Sequence, residues 1–268
     1  MSHDSYRNPP PSGGGRFKTL HLFAGVGGGL LADLILGHEP IGAVEWDAYC
    51  CRVLRERAAE GWFPNLRVHE GDVRLFDPSE YAGRVDIVAA GFPCQDISAA
   101  GKGKGIAGSR SGLVSEVFRA IDIINPPFVW LENSPRIRTR GRHVVIGELV
   151  ARGYAWRDGI LGAADVGANH QRDRWWCIAA NADGLRQLQP QGSVSDKWGR
   201  THYSDQAQDD ATGKGFNTGI PTWFEIEPNL GRLVYGVADD LVPGAIKALG
   251  NAQVPLQAAL AWKILGGP

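Results

Sequence analysis

The chain has 268 residues, 43% of them hydrophobic, so it can bury a full core and hold one large domain plus a small one. Its formal net charge of -1 gives no global signature of nucleic-acid binding, and no apolar run approaches the length needed to span a bilayer. Its four cysteines, Cys50, Cys51, Cys94 and Cys177, lack CxxC spacing, which argues against a disulfide framework or a zinc site and for a reducing cytoplasm.

Met1 to Gly15 is rich in Pro, Gly and polar residues without an apolar segment, so residues 1–16 are expected to form a loose tail and not a signal peptide. Phe17 to Phe23 then reads as a first strand. The glycine-rich turn Phe23-Ala24-Gly25-Val26-Gly27-Gly28-Gly29 follows at once, and Leu30, Leu31, Leu34 and Ile35 repeat at helical spacing up to Gly37, a fitting C-terminal cap. Strand, glycine turn and helix together open a nucleotide-type site, although the turn matches GxGxxG only loosely. Ile41 to Glu45 reads as a second strand ending in an acid roughly 20 residues beyond the turn, the place from which a carboxylate reaches ribose hydroxyls. Trp46 is then available to stack on an adenine. The plainer alternatives are a helix-start carboxylate for Glu45, ahead of a helix from Ala48 to Arg57, and a surface aromatic for Trp46. Arg67 to Glu70 is a third strand, and Asp72 beyond it is either an acceptor for an exocyclic amine or an ordinary turn aspartate.

Val85 to Ala90 reads as a buried strand, and Gly91-Phe92-Pro93-Cys94-Gln95-Asp96-Ile97-Ser98 leaves its C-terminal end, where open α/β sheets bind ligands. Pro93 fixes its own φ and keeps Phe92 out of the helical region, so Cys94 is presented from a stiff backbone. A lone cysteine is more often a small buried apolar residue than a nucleophile, so other groups must converge on it. Gly101 to Ser111, rich in Gly, Lys and Ser, has the composition of a segment that closes over substrates. Leu113 to Ile124 restores a helical period that Asn125-Pro126-Pro127 stops. Phe128 to Leu131 is a buried strand ending in Glu132-Asn133-Ser134, which puts a second reactive group at the same sheet edge.

His143 to Arg152 is predicted helical, and Ala155 to Leu161 and Trp175 to Ala180 are predicted strands. Arg172 and Arg174 fall on one face by strand alternation, suited to a salt-bridged surface or to an anionic substrate. From Asn181 to about Glu227 the composition turns to Gln, Asp, Ser and Gly without a convincing periodic element. The pattern resumes at Asn229 to Gly236, and Leu249-Gly250-Asn251-Ala252-Gln253-Val254-Pro255 opens a final apolar helix from Leu256 to Leu265. Charge is uneven: Gly101 to Arg142 carries eight Lys/Arg against three acids, and Glu39 to Asp86 ten acids against six Arg. A charge run is usually a solvated face, but this basic one directly follows Cys94, as a phosphate-holding rim would.

In this order the features resemble the DNA (cytosine-5)-methyltransferase family over nearly all of Phe17 to Leu265. Leu22 to Gly28 is similar to its S-adenosylmethionine loop, Pro93-Cys94-Gln95 to its nucleophile motif and Glu132-Asn133-Ser134 to its Glu-Asn motif. Arg172-x-Arg174 is similar to its paired-arginine motif, and Gly250-Asn251-Ala252-x-Val254-Pro255 to its last motif. The sequence departs from the family at His21, where an acid is common, at Phe92, where proline is frequent, and at His170, where glutamine is usual. Its target-recognition region is also unusually short.

The resemblance implies a doubly wound, Rossmann-like α/β fold, with a catalytic domain over 17–180, target recognition over 181–242 and a C-terminal helix over 243–268 that returns to the catalytic domain. It implies methyl transfer from S-adenosyl-L-methionine to C5 of a flipped cytosine in double-stranded DNA. Cys94 would add to C6, Glu132 would serve N3, and Arg172 and Arg174 would hold the base or flanking phosphates. Phe23, Ala24, Gly25, Gly27, Gly28, Glu45, Trp46, Asp72, Pro93, Asn251 and Ala252 are the implied cofactor residues. Gln95, Ser98, Lys102, Lys104, Arg110, Arg136, Arg138 and Arg232 are the implied DNA contacts, with phosphate contacts running on from Arg136 to Arg142. No metal is implied, and a monomer in a bacterial or phage-infected cytoplasm, of the restriction-modification type, is expected. Methylation of tRNA cytosine, or a non-catalytic DNA-binding role, are the alternatives.

Overall fold

The computed structural model describes residues 17–93, 112–168, 170–189 and 252–268. Its centre is a seven-stranded sheet made of β1 (Lys18–Leu22), β2 (Glu39–Glu45), β3 (Arg67–Glu70), β4 (Ile87–Gly91), β5 (Phe128–Asn133), β6 (Ala155–Leu161) and β7 (Arg174–Ala180), in the order β3-β2-β1-β4-β5-β7-β6. Neighbours from β3 across to β5 run parallel, and β7 is antiparallel to both β5 and β6. The described helices are α1 (Gly28–Leu36), α2 (Ala48–Ala59), α3 (Val114–Ile124), α4 (Ile137–Arg140), α5 (Arg142–Ala151), α6 (Ala182–Leu185) and α7 (Pro255–Ile264).

Strand alternation sends successive residues to opposite faces, and both faces are apolar, so helices must cover each. Leu20, Val88, Ala90, Val129 and Leu131 meet α3 and α5 through Val117, Ile121, Val145 and Leu149. Ala89, Trp130, Trp176 and Ile178 point the other way, toward Ala32 of α1 and Ala258 and Trp262 of α7. There Trp130 stacks on Trp176 at 5.2 Å and 18° while Trp262 meets Trp130 edge-on at 5.3 Å. The doubly wound expectation therefore holds, with one strand reversed.

The helix stops follow the local chemistry. Gly37 closes α1 at φ 78, and Asn125 closes α3 at φ 49 ahead of Pro126, both in the left-handed region. β2 begins at Glu39, earlier than the aliphatic run at Ile41, because the pairing with β1 shifts register between Thr19 and Leu20 and so accommodates Pro40. β1 sits between β2 and β4, so connections leave it toward opposite sides. A crevice opens at the C-terminal ends of such strands.

Candidate active site

That crevice is a cavity of about 720 Å³ whose walls come from the ends of β1, β2, β4 and β5 and from the segment entering β7. On one side the chain leaves β1 through Phe23, held at φ 59, a left-handed conformation rare for an aromatic residue and of the kind that clusters at functional sites. Gly25 follows at φ 55, and a Cβ added there would meet nothing within 4 Å. Its bare backbone thus faces open space. Gly25 N–H donates to Glu45 Oε2 at 2.7 Å, and Glu45 Oε1 accepts from Trp46 N–H at 2.9 Å and Asp47 N–H at 2.8 Å. Glu45 therefore ties the glycine turn to the end of β2, while Asp47, not Glu45, caps α2 by accepting from Tyr49 N–H. Trp46 is 70% exposed at the cavity, an apolar face on which no ring among the described residues is stacked.

Asp72 lines the same wall and also serves a turn: it accepts from Arg74 N–H at the start of a short 3₁₀ turn and pairs with the Arg74 guanidinium. The Arg74 hydrogen bonds hold the Asp72 carboxyl below its ordinary range. This wall is braced from behind by Arg119 of α3, which donates to Val73 O at 3.0 Å and Phe76 O at 2.8 Å.

On the opposite wall stands Glu132 at the end of β5, in register with Gly91 of β4. Arg174 Nε lies 3.0 Å from Glu132 Oε1, and Gln253 Nε2 donates to Oε2 across 3.5 Å. Burial pushes the Glu132 carboxyl above its usual range, with Arg174, Gln253 and Arg172 opposing that rise. Arg172 donates to Ala252 O at 2.7 Å, and burial lowers its own affinity for a proton. Asn133 Nδ2 donates to Phe92 O at 2.8 Å, so the Glu-Asn pair also pins the backbone that runs through Pro93 toward Cys94.

The structure thus brings Phe23, Gly25, Glu45, Trp46, Asp72, Pro93, Glu132, Arg172 and Arg174 to one cavity. Ala24, Gly27, Gly28 and Ala252 lie off its wall. Gly28 has another reason to be glycine, since a Cβ there would sit 2.2 Å from Gln253 O. Cys94, Gln95, Ser98, Lys102, Lys104, Arg110, Arg232 and Asn251 lie outside the described residues. Arg136 and Arg138 are exposed beyond Ser134, on the rim side of β5. Arg142 does not extend that row: its guanidinium is bidentate to Asp158 and lies 4.8 Å from the Trp156 ring centroid, so it is already engaged in the fold. Among the described residues no His, Cys, Asp or Glu cluster forms a metal site, and no helix is long and apolar enough to cross a membrane. Sequence reasoning missed Gln253, left as a variable position in the last motif, along with Arg74 and Asp47.

The sheet order with its reversed strand is a Rossmann-like methyltransferase fold, shared with the S. pombe Dnmt2 methyltransferase at a TM-score of 0.52 and 17% identity, over 72% of this chain and 58% of that one. The family model for C-5 cytosine-specific DNA methylase matches residues 17–216, and the chain belongs to that family. Among curated relatives, type II methyltransferase M.CviJI of Paramecium bursaria Chlorella virus IL3A is 32% identical over 62% of this chain and 44% of its own. Type II methyltransferase M.NgoBI of Neisseria gonorrhoeae is 32% identical over 60% of this chain and 50% of its own. The chain thus spans about half the length of the curated relatives it matches.

Proposed function

We propose that the chain transfers a methyl group from S-adenosyl-L-methionine to C5 of a cytosine in duplex DNA, acting as a monomer in a bacterial or phage-infected cytoplasm. The observation that carries this reading is a single cavity with Gly25, Glu45 and Trp46 on one wall and Glu132 with its arginines on the other.

The first wall fits the cofactor. Gly25 offers bare backbone to open space, Trp46 an exposed ring for an adenine face, and Glu45 Oε2, which accepts one backbone hydrogen bond, has a lone pair left for a ribose hydroxyl. S-adenosylmethionine, when bound, supplies an electrophilic methyl carbon.

Cytosine C5 is a poor nucleophile until a group adds at C6, and a thiolate does this best. Cys94 is one peptide bond beyond Pro93, which lines the cavity. Addition of Cys94 pushes electron density onto the ring. Glu132, whose proton affinity burial raises, donates to N3 and neutralises it. Arg174 holds the Glu132 carboxyl in place, and Arg172 offers positive charge to the base carbonyl. Once C5 carries the transferred methyl group, its proton passes to solvent, the N3 proton returns to Glu132, and Cys94 leaves as a thiolate, which restores the aromatic ring. The thiolate must approach the ring face, so the cytosine is flipped out of the duplex. Lys102, Lys104 and Arg110 serve the DNA backbone together with Arg136 and Arg138, while Gln95, Ser98, Arg232 and the 181–242 region contact or read the sequence.

The test is incorporation of labelled methyl from S-adenosylmethionine into duplex DNA and into total tRNA, with the product base identified. The proposal requires 5-methylcytosine in DNA that a Cys94→Ala variant does not form. Labelled tRNA with unlabelled DNA would overturn it.

A further inference from the structure

Gln253 stands where three parts of the site meet. A Cβ added at Gly28 would lie 2.2 Å from Gln253 O; one at Gly29 would lie 2.7 Å from Gln253 Oε1; one at Gly91 would lie 3.1 Å from Gln253 Nε2 and 2.9 Å from Glu132 Oε2. Three glycines, two opening α1 and one closing β4, leave room for this one side chain and its backbone. Gln253 Nε2 donates to Glu132 Oε2 across 3.5 Å, a span of 121 positions in the chain. The amide has a fixed sense. Its oxygen is turned toward Gly29 and the His21 ring, whose Nδ1 would lie 3.0 Å from the same added Cβ, and its nitrogen toward Gly91 and Glu132. His21 is held in turn by Asp33, Nε2 to Oδ2 at 2.6 Å, with both residues buried.

We infer that Gln253 is the positioning residue for Glu132: its amide, wedged between the glycine turn and β4, sets the direction in which Glu132 presents its carboxyl to the base. The inference rests on the proposed role of Glu132 in methyl transfer. Gln253 does not line the cavity, so it acts through Glu132 and not on substrate or cofactor. Among the described residues, the charged groups facing Glu132 are Arg174 and Arg172, both from the β7 side, and Gln253 is the polar group facing it from the C-terminal segment. Arg174 grips Oε1 and Gln253 contacts Oε2, so the two together fix the rotation of the carboxyl plane.

The experiment compares the full chain with Gln253→Leu and the isosteric Gln253→Glu. Each is titrated by NMR with ¹³C-labelled glutamate, the Glu132 signal being assigned by its loss in Glu132→Gln. Removing a donor that favours the charged form moves the Glu132 midpoint up in Gln253→Leu, and a second carboxyl moves it further up in Gln253→Glu. In parallel, kcat falls about 10- to 100-fold in both, as expected for a misdirected reacting group, while the KM for S-adenosylmethionine stays within about twofold of wild type. Should Gln253→Leu fail to fold, the isosteric variant carries both readouts. An unmoved Glu132 midpoint, or a loss of kcat matched by an equal rise in cofactor KM, overturns the inference. A wild-type chain that methylates no DNA overturns the proposed function instead, and the titration still decides what Gln253 does to Glu132.

Discussion

Replacing Gly91 by Ala adds one methyl group where β4 faces Glu132 of β5, the proposed proton donor. The added carbon would lie 2.9 Å from Glu132 Oε2 and 3.1 Å from Gln253 Nε2, both inside ordinary contact distance. Gly91 is not in the left-handed region, so the backbone itself accepts alanine. Both clashing atoms are side-chain ends, which yield more easily than backbone. The folding cost therefore falls at the low end of the overpacking range, about 1 kcal/mol. Relief comes from turning the Glu132 carboxyl about half an ångström away from its place beside Arg174, and a displacement of that size at the proposed proton donor costs on the order of 10-fold in rate. Equilibrium unfolding in urea and steady-state methyl transfer on duplex DNA separate the two effects. The urea midpoint should stay nearly intact while kcat falls on the order of 10-fold. Full activity in Gly91→Ala would refute this expectation, because the carboxyl would then not need the position it occupies.

The pH profile offers a second check: kcat should fall as pH rises through the Glu132 value, which burial places above the ordinary carboxylate range, and Glu132→Gln should abolish that limb. Trp46→Ala removes the exposed ring at the cavity mouth and should weaken S-adenosylmethionine binding about 3- to 10-fold by calorimetry, with the urea midpoint unchanged. Among the described residues, Arg142→Ala leaves Asp158 with Trp175 Nε1, which donates to its Oδ2 at 2.6 Å, as its remaining side-chain hydrogen-bond partner. The expected cost in a urea melt is about 1–3 kcal/mol, less than for a fully buried pair because Arg142 is about a third exposed, and DNA affinity and its salt slope stay unchanged.

Strands with strong local patterns were legible to the residue. Arg67 to Glu70 and Ala155 to Leu161 have the bounds their sequence implies, and the stops at Gly37 and Asn125 follow from residues that tolerate positive φ. What the sequence hid depends on contacts between distant positions. Pro40 concealed the start of β2, since only the register shift against β1 lets a residue without an N–H join the sheet there. Counting charge along the chain put Arg119 and Arg142 in one basic rim, but folding spends Arg119 on the carbonyls of Val73 and Phe76 and Arg142 on Asp158. The pairing of Asp72 with Arg74, two residues on, could not be read from the sequence either. The meeting of Glu132, Arg172 and Arg174 at one cavity was legible through their motifs. Gln253 was not, because nothing local marks a side chain whose partner lies on another strand.

The central claim is that one cavity serves both a methyl donor and an extruded cytosine attacked by Cys94. A duplex carrying 5-fluorocytosine at the target position, incubated with S-adenosylmethionine, tests this most directly, because fluorine blocks the loss that would release the enzyme. The account predicts a denaturation-resistant adduct whose DNA is joined to the peptide containing Cys94, formed only with the methyl donor present and absent from Cys94→Ser. An adduct mapped to another residue, or methyl transfer to ordinary DNA with no adduct on the fluorinated duplex, would contradict it.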